Sequence, residues 1–394
     1  MSKTHLEFYH AHGISPVHYV VGETQQHFER RASLYRSLGL HPLAFRGARV
    51  LEVAVGSGQN SLYVASLMPA SLTLVEPNPT AIREIRELYA TTEVAHTSPE
   101  LVASTLQDYQ PAHRFDIVLC ENWLGRVAHE RFLLRKLAGF LAPQGVMVVT
   151  TITPTGFLPN LIRRALSVRY CDPRLPFAER TEQLVAMFAP HLSTMSAMTR
   201  SATDWVQDNM MNPAYFDICL TIPDVLQEVG EELNALGTNP SFSKDWRWFK
   251  SLCGEDREFN SYMTGSYRAE LHNFFDYQLE FIQPDVELNC RIEKSCLVFL
   301  DAVHDYESAA LAGMNPTENL ANVIARLTHI VGQLRDFPEQ VKAGLEAGLN
   351  LLSAEGDDWQ KVAADSPFSR LFGRETVYLS LNADVTLGLL DTEG

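Results

Sequence analysis

Between residues 47 and 153, short apolar runs alternate with stretches of helical period, and that alternation leaves little choice of fold. The spacing predicts strands at 49–54, 71–76, 93–97, 115–120 and 145–152, with helices at 59–68, 80–89, 99–107 and 129–141 between them. Strands joined through helices pair in parallel, and the helices cover both faces of the sheet. Ahead of this region, residues 23–38 place Phe28, Ala32, Tyr35 and Leu38 on one amphipathic stripe. Beyond residue 152 the texture changes. Helices are expected at 157–170, 178–189 and 223–236, then a weak strand at 236–242, and 255–369 reads as almost wholly helical. A last apolar run, ETVYLSL at 375–381, has strand character. A core that lacked it would expose a sheet edge, so this run is assigned to the main sheet. The expected plan is a cap or lid with one helix at 1–46, an α/β core at 47–254, a helical insertion at 255–369, and the final core strand within 370–394.

The first strand ends in VLEVAVGSGQN, residues 50–60, and a helix follows. Gly56 and Gly58, with Ser57 between them and Asn60 beyond, permit a sharp turn and close approach of the backbone to a ligand. The second strand ends at Glu76, in LVEPN, where a carboxylate can accept both hydroxyls of a ribose. Two details separate the nucleotide-binding possibilities. The dinucleotide fingerprint requires a third glycine at position 61, which is Ser61. Glu52, inside the first strand, suits a cofactor bearing an ammonium and a sulfonium better than a pyrophosphate.

The pattern E-x-A-x-G-x-G followed by L-V-E-P-N resembles the class I S-adenosylmethionine (SAM)-dependent methyltransferases. FDIVLCENWLG resembles that family's fourth strand, and LAGFLAPQGVMVVTT its next helix, turn and fifth strand. The resemblance covers about residues 47–153, with weaker echoes at 236–248 and 373–381. It implies a Rossmann-like methyltransferase sheet and SAM as cofactor. It implies that Gly56 and Gly58 pass the methionine part, that Glu52 helps hold the ammonium, and that Glu76 binds the ribose with Asn78 nearby. It also implies that Thr97 and Ser98, after the third strand, flank the adenine, and that Glu121 and Asn122 lie near the methyl group. Ala54 stands where many members carry another glycine, a difference of one methyl group. The Asn/Asp-Pro-Pro-Tyr signature of adenine and amide methylators is absent, since ENWL stands there.

Methyl transfer is an in-line displacement at an activated sulfonium, so positioning and electrostatics dominate. A base is needed only when the nucleophile must lose a proton. Motif spacing therefore fixes no catalytic residue. The candidates are Tyr9, His10, His12 and His18 in the N-terminal segment, and Asp204. Gly13 and Pro16 favour a fixed loop there, which could close as a lid. Tyr19, Trp123, Asp208, Asn209 and Trp246 are the candidate substrate contacts. Trp246 belongs to SKDWRWFKS, whose rings could line an aromatic pocket.

Composition narrows the partners. Lys plus Arg total 32 against 48 Asp plus Glu, a net charge of −16, which disfavours nucleic acid. No apolar stretch reaches the length of a membrane span, and no secretory segment is evident at residues 1–12. None of the six cysteines forms a metal-ligand spacing, so no metal is expected. The expectation is a cytoplasmic SAM-dependent methyltransferase acting on a small molecule, O or N being the acceptor atom, with a homodimer formed through the helical insertion. The alternatives are a protein or tRNA methyltransferase that docks its partner through the helical part, and a non-catalytic SAM-binding regulatory module.

Overall fold

The computed structural model describes residues 5–15, 24–93, 96–124, 131–196, 198–213 and 219–383. In chain order, α1 (His5–His12), α2 (Thr24–Ser37) and the short α3 (Pro42–Phe45) precede β1 (Arg49–Val53). Next come α4 (Gln59–Ser66), β2 (Ser71–Val75), α5 (Pro79–Thr91), β3 (Glu100–Val102) and β4 (Phe115–Cys120). They are followed by α6 (Phe132–Gly139), β5 (Leu141–Ile152), α7 (Pro154–Tyr170), α8 (Phe177–Leu192) and α9 (Ala202–Val206). The chain continues through α10 (Ile222–Val229), β6 (Leu233–Asn239), α11 (Phe259–Glu270) and α12 (Val286–Leu311). It ends with α13 (Thr317–Gln333), α14 (Glu339–Ser353), α15 (Gln360–Ala363) and β7 (Thr376–Ala383).

These elements divide into two compact units. The sheet unit comprises Tyr9–Ile152, Cys219–Tyr267 and Thr376–Gly394. Its seven strands lie in the order β3-β2-β1-β4-β5-β7-β6. β1 to β5 run parallel, while β7 is antiparallel to both β5 and β6. The late run at 375–381 thus enters the sheet as expected, between two strands. Alternation along β1 sends Val50 and Glu52 to one face and Leu51 and Val53 to the other. On the first face Val50, Leu72, Leu74, Ile117, Leu119 and Val148 pack against Tyr35, Phe45, Tyr63, Val64 and Ile85. Leu51, Val53, Val118, Met147 and Val149 on the opposite face are buried too. Both faces are therefore covered, as a parallel sheet requires.

Four sequence assignments need correction. Residues 99–107 are not a helix, and of the run 93–97 the described residues 93, 96 and 97 lie outside any strand. Glu100–Val102 instead pairs in parallel with Thr73–Val75, so sheet pairing overrides a weak local preference. β6 begins at Leu233, inside the stretch read as a helix, because α10 stops at Val229 ahead of Gly230. Residues 5–12 form a helix, not a fixed loop, and Gly13 at φ 63° terminates it.

The helical unit comprises Met1–Phe8, Thr153–Ile218 and Arg268–Glu375. It is larger than the 255–369 insertion because α7, assigned above to the core, is its centre. α7 is buried along nearly its whole length and includes Arg163 and Arg164. Arg163 donates to the carbonyls of Leu371 (2.9 Å) and Phe368 (3.3 Å), and its guanidinium lies 3.8 Å from the centre of the Phe372 ring. His191 is held through Nδ1 near Arg163 Nε and through Nε2 to the Val362 carbonyl, and burial pushes its pKa down to about 3. Arg164 pairs with Glu307 at 2.9 Å and donates to the carbonyls of Asn209 and Asn212. Each buried charge therefore has a partner, the condition under which such groups are tolerated.

Candidate active site

The register brings the three acidic positions together. Val53 lies opposite Val75 of β2 and Cys120 of β4, so Glu76 and Glu121 leave their strands side by side with the β1–α4 loop. This is also where the strand order reverses, between β1 and β4, the usual ligand crevice of open α/β sheets. The loop turns through three left-handed residues, Ala54 (φ 57°), Gly56 (φ 62°) and Gly58 (φ 79°). Gly58 starts α4, and a Cβ there would lie 2.9 Å from Ile85 Cγ1. Ala54 costs more than a methyl group: an alanine held at positive φ carries about 1–2 kcal/mol of strain. Ser57 is buried and Asn60 half-buried in the first turn of α4.

Glu76 ties the two loops. Its Oε2 accepts from the Gly56 amide (3.0 Å) and its Oε1 from the Asn78 amide (2.9 Å). Burial nevertheless pushes its pKa up to about 7. Asn78 caps α5 through Thr80 N and donates to the carbonyl of Ile14, and Ser15 Oγ donates to Glu84 on the same helix. The segment after α1 is thereby pinned beside α5 and the Glu76 loop.

Glu52 is buried, and its Oε2 has no hydrogen-bond partner among the described residues. Burial, then the neighbouring Glu121, push its pKa up to about 7, while Arg31 pulls it back. Glu121 Oε1 accepts from Arg31 Nη2 (2.8 Å) and Tyr35 Oη (2.9 Å), and Arg31 also reaches Tyr35 Oη at 2.6 Å. The second oxygen of Glu121 is likewise without a hydrogen-bond partner among the described residues. Asn122 adopts φ 59°, donates its amide to Thr150 Oγ1 (2.7 Å) and its side-chain NH2 to Tyr378 Oη (3.2 Å). Trp123, the next residue, is half-buried.

Arg31 and Tyr378 are not singled out in the sequence, and Tyr35 is read there only as part of the apolar stripe of α2. For Arg31 a signal existed: it sits at i, i+4, i+7 with Tyr35 and Leu38, and all three are buried. A charged residue on an otherwise apolar stripe implies a buried counter-charge. Tyr378 could not be placed before β7 was paired with β5.

Several candidates lie elsewhere. Thr97 and Ser98 precede β3, and Thr97 Oγ1 bonds the Pro69 carbonyl ahead of β2, at the other edge of the sheet from Glu76. The residues following β3 are Ala103, Ser104 and Thr105. Trp246 is 90% exposed, with Trp248 and Phe249 at 65% and 72%, so the three rings stand open to solvent. His10 and His12 are exposed and Tyr9 is buried, while His18 and Tyr19 fall outside the described residues. Asp204, Asp208 and Asn209 belong to the helical unit. Asp208 pairs with Arg200 at 3.0 Å, Asn209 donates to the Trp205 carbonyl, and the Asp204 amide donates to Ser201 Oγ. Among the described residues no acidic, His or Cys group has the makings of a metal site.

Residues 26–190 match the family described as "Methyltransferase domain". Residues 26–190 are a methyltransferase domain. The ubiquinone biosynthesis O-methyltransferase of Bradyrhizobium diazoefficiens is 29% identical over 143 residues, covering 36% of this chain and 52% of that protein. Its mitochondrial counterpart in Schizosaccharomyces pombe is 29% identical over 128 residues, covering 32% and 44%. The chain thus spans about half the length of these relatives. Among solved structures, the magnesium protoporphyrin IX methyltransferase of Synechocystis with bound SAM is 15% identical, with TM-score 0.27 over 34% of this chain and 60% of that one. The N-methyltransferase NodS of Bradyrhizobium japonicum is 19% identical, with TM-score 0.26 over 32% and 68%.

The methyltransferase domain's residues fit its cofactor. Two buried carboxylates, Glu52 and Glu121, each with an oxygen that has no hydrogen-bond partner among the described residues, suit an ammonium. Glu76 has the chemistry of a ribose ligand.

Proposed function

We propose that the chain is a SAM-dependent methyltransferase that methylates an oxygen or nitrogen of a small molecule by in-line displacement. The observation that carries this is the convergence of Glu52, Glu76 and Glu121 on the left-handed glycine turn. SAM, when bound, supplies an activated methyl on a sulfonium. Glu76 holds the ribose hydroxyls, and its bonds to the Gly56 and Asn78 amides fix that oxygen pair in place. Glu52 and the second oxygen of Glu121 hold the ammonium. Gly56, Ser57, Gly58 and Asn60 follow the methionine chain. Arg31 and Tyr35 hold Glu121 in its rotamer and keep the buried charge balanced.

The O-methyltransferase relatives support oxygen as the acceptor atom, and the net charge of −16 supports a small molecule over nucleic acid. The bonds from Ile14 and Ser15 to the start of α5 support a covering role for the N-terminal segment, with Tyr9, His10, His12 and His18 the groups to test as base. A cytoplasmic location is part of the same reading; no helix among the described residues is long and apolar enough to cross a membrane.

The test is conversion of SAM to S-adenosylhomocysteine with cell extract stripped of macromolecules. Turnover supports a small acceptor. Turnover only after macromolecules are restored transfers the assignment to a protein or RNA substrate, and binding without turnover in both makes the domain a regulatory SAM module.

A further inference from the structure

The segment after β6 has a construction that the methyl-transfer reading does not use. β6 is antiparallel to β7, which is antiparallel to β5, so β6 runs parallel with β5 and delivers the chain to the carboxyl edge of the sheet. That is the edge bearing Glu76 and Glu121. The following loop, residues 243–251, holds Trp246, Trp248 and Phe249, which are 90%, 65% and 72% exposed. Lone exposed hydrophobics are ordinary, but three aromatic rings within four residues form a patch that water disfavours.

The loop is also braced. Arg247 lies between the two tryptophans and turns inward. Its Nη2 and Nε donate to Asp245 at 2.6 and 2.9 Å, and its Nη1 donates to the carbonyls of Arg257 (3.0 Å) and Asp256 (3.2 Å). Its guanidinium lies 4.6 Å from the centre of the Tyr262 ring, and Tyr262 Oη donates to the Lys244 carbonyl at 2.6 Å. A loop fixed in this way presents its rings without first losing conformational freedom, which favours binding. Two exposed lysines flank the rings. Lys250 Nζ sits 5.3 Å from the Trp248 ring, and Lys244 stands on the other side.

We propose that loop 243–251 is a lipid-surface anchor, its Trp246, Trp248 and Phe249 rings entering the headgroup boundary of an anionic bilayer and Lys244 and Lys250 meeting the phosphates. Tryptophan with flanking lysine is the side-chain set that settles at the membrane–water interface. Polynucleotide is a poorer occupant. Arg247 is already engaged, which leaves two cations on the loop, too few for a phosphate backbone that rewards many, whereas a bilayer boundary also takes the three exposed rings. The anchor stands on the loop alone, independent of which acceptor the domain methylates.

The experiment is co-sedimentation of the full chain with vesicles of phosphatidylcholine, with and without phosphatidylglycerol as a third of the lipid. The wild type is expected to sediment with the anionic vesicles and to shift its tryptophan emission to shorter wavelength. Trp246→Ala with Phe249→Ala is expected to weaken partition at least tenfold. Lys244→Ala with Lys250→Ala is expected to remove the preference for phosphatidylglycerol. These side chains are exposed, so the variants should melt as the wild type does, and the melting curve is recorded to establish that. No partition by the wild type overturns the proposal, as does equal partition by the ring variant. A concentration-dependent dimer lost in the ring variant, without vesicle binding, assigns the patch to a second copy instead. Retention on single-stranded DNA without vesicle binding assigns it to nucleic acid.

Discussion

Replacing Arg31 by methionine isolates the contact that holds the acidic cluster together. The side chain is buried, with 7% of its surface exposed against 4% for Glu121, and their charged atoms are 2.8 Å apart. Methionine keeps much of the volume but removes the cation. Two buried carboxylates, Glu52 and Glu121, then face each other without a counter-charge. Breaking a buried pair by removing one partner costs about 3–5 kcal/mol. Counting bonds gives a similar figure: the guanidinium donates to Glu121 and to Tyr35 Oη, and each charged hydrogen bond contributes about 1.5–3 kcal/mol. Adding Glu121→Gln removes the stranded charge while leaving an oxygen for Tyr35. The double variant should therefore recover about 2 kcal/mol or more of the loss, a coupling expected only of groups in direct contact. Scanning calorimetry of wild type, Arg31→Met, Glu121→Gln and the double variant measures this, following the transition of the sheet unit. A loss below about 1 kcal/mol for Arg31→Met, or strictly additive single effects, would refute the assignment of Arg31 as counter-ion.

Two further outcomes follow from the same residues. Glu52 has its pKa pushed up to about 7 by burial and by Glu121, and an arriving ammonium favours its ionised form. Cofactor binding should then release a proton below that value, so affinity rises as pH increases from 5.5 to 7 and levels above it. Glu52→Gln should make the profile shallower, leaving the part that Glu76, also pushed up to about 7, contributes; titration of S-adenosylhomocysteine in buffers of different ionisation heat reads both. Ala54→Gly relieves about 1–2 kcal/mol of left-handed strain, against about 0.4–1 kcal/mol of added unfolded-state freedom. A small net gain in melting temperature is expected, and a loss would mean that the turn is not strained there.

The parts of the fold legible in the sequence are those where periodicity is strong and local. β4 was predicted residue for residue, and the glycine turn after β1 was legible with Glu52 and Glu76 on either side of it in sequence. β7 was legible because an isolated apolar run needs a sheet to join. β3 was not, since three residues carry too little pattern and only their pairing with β2 defines them. That misplacement moved the adenine candidates to Thr97 and Ser98. α7 was recognised as a helix but assigned to the wrong unit, because its burial on all sides depends on helices far along the chain. The Arg31–Glu121 pair joins residues 90 positions apart: the apolar stripe marks Arg31 as needing a counter-charge, but no local pattern names Glu121 as the partner.

The central claim is that the carboxylate after β2 is a cofactor ligand, and calorimetric titration with S-adenosylhomocysteine tests it most directly. Glu76→Ala removes a charged acceptor from the ribose hydroxyls, a loss of roughly 2–3 kcal/mol, or about 30- to 150-fold in dissociation constant. The wild type should bind and the variant should weaken by that factor with its melting temperature still defined. Equal affinity in the two proteins would contradict the site described above.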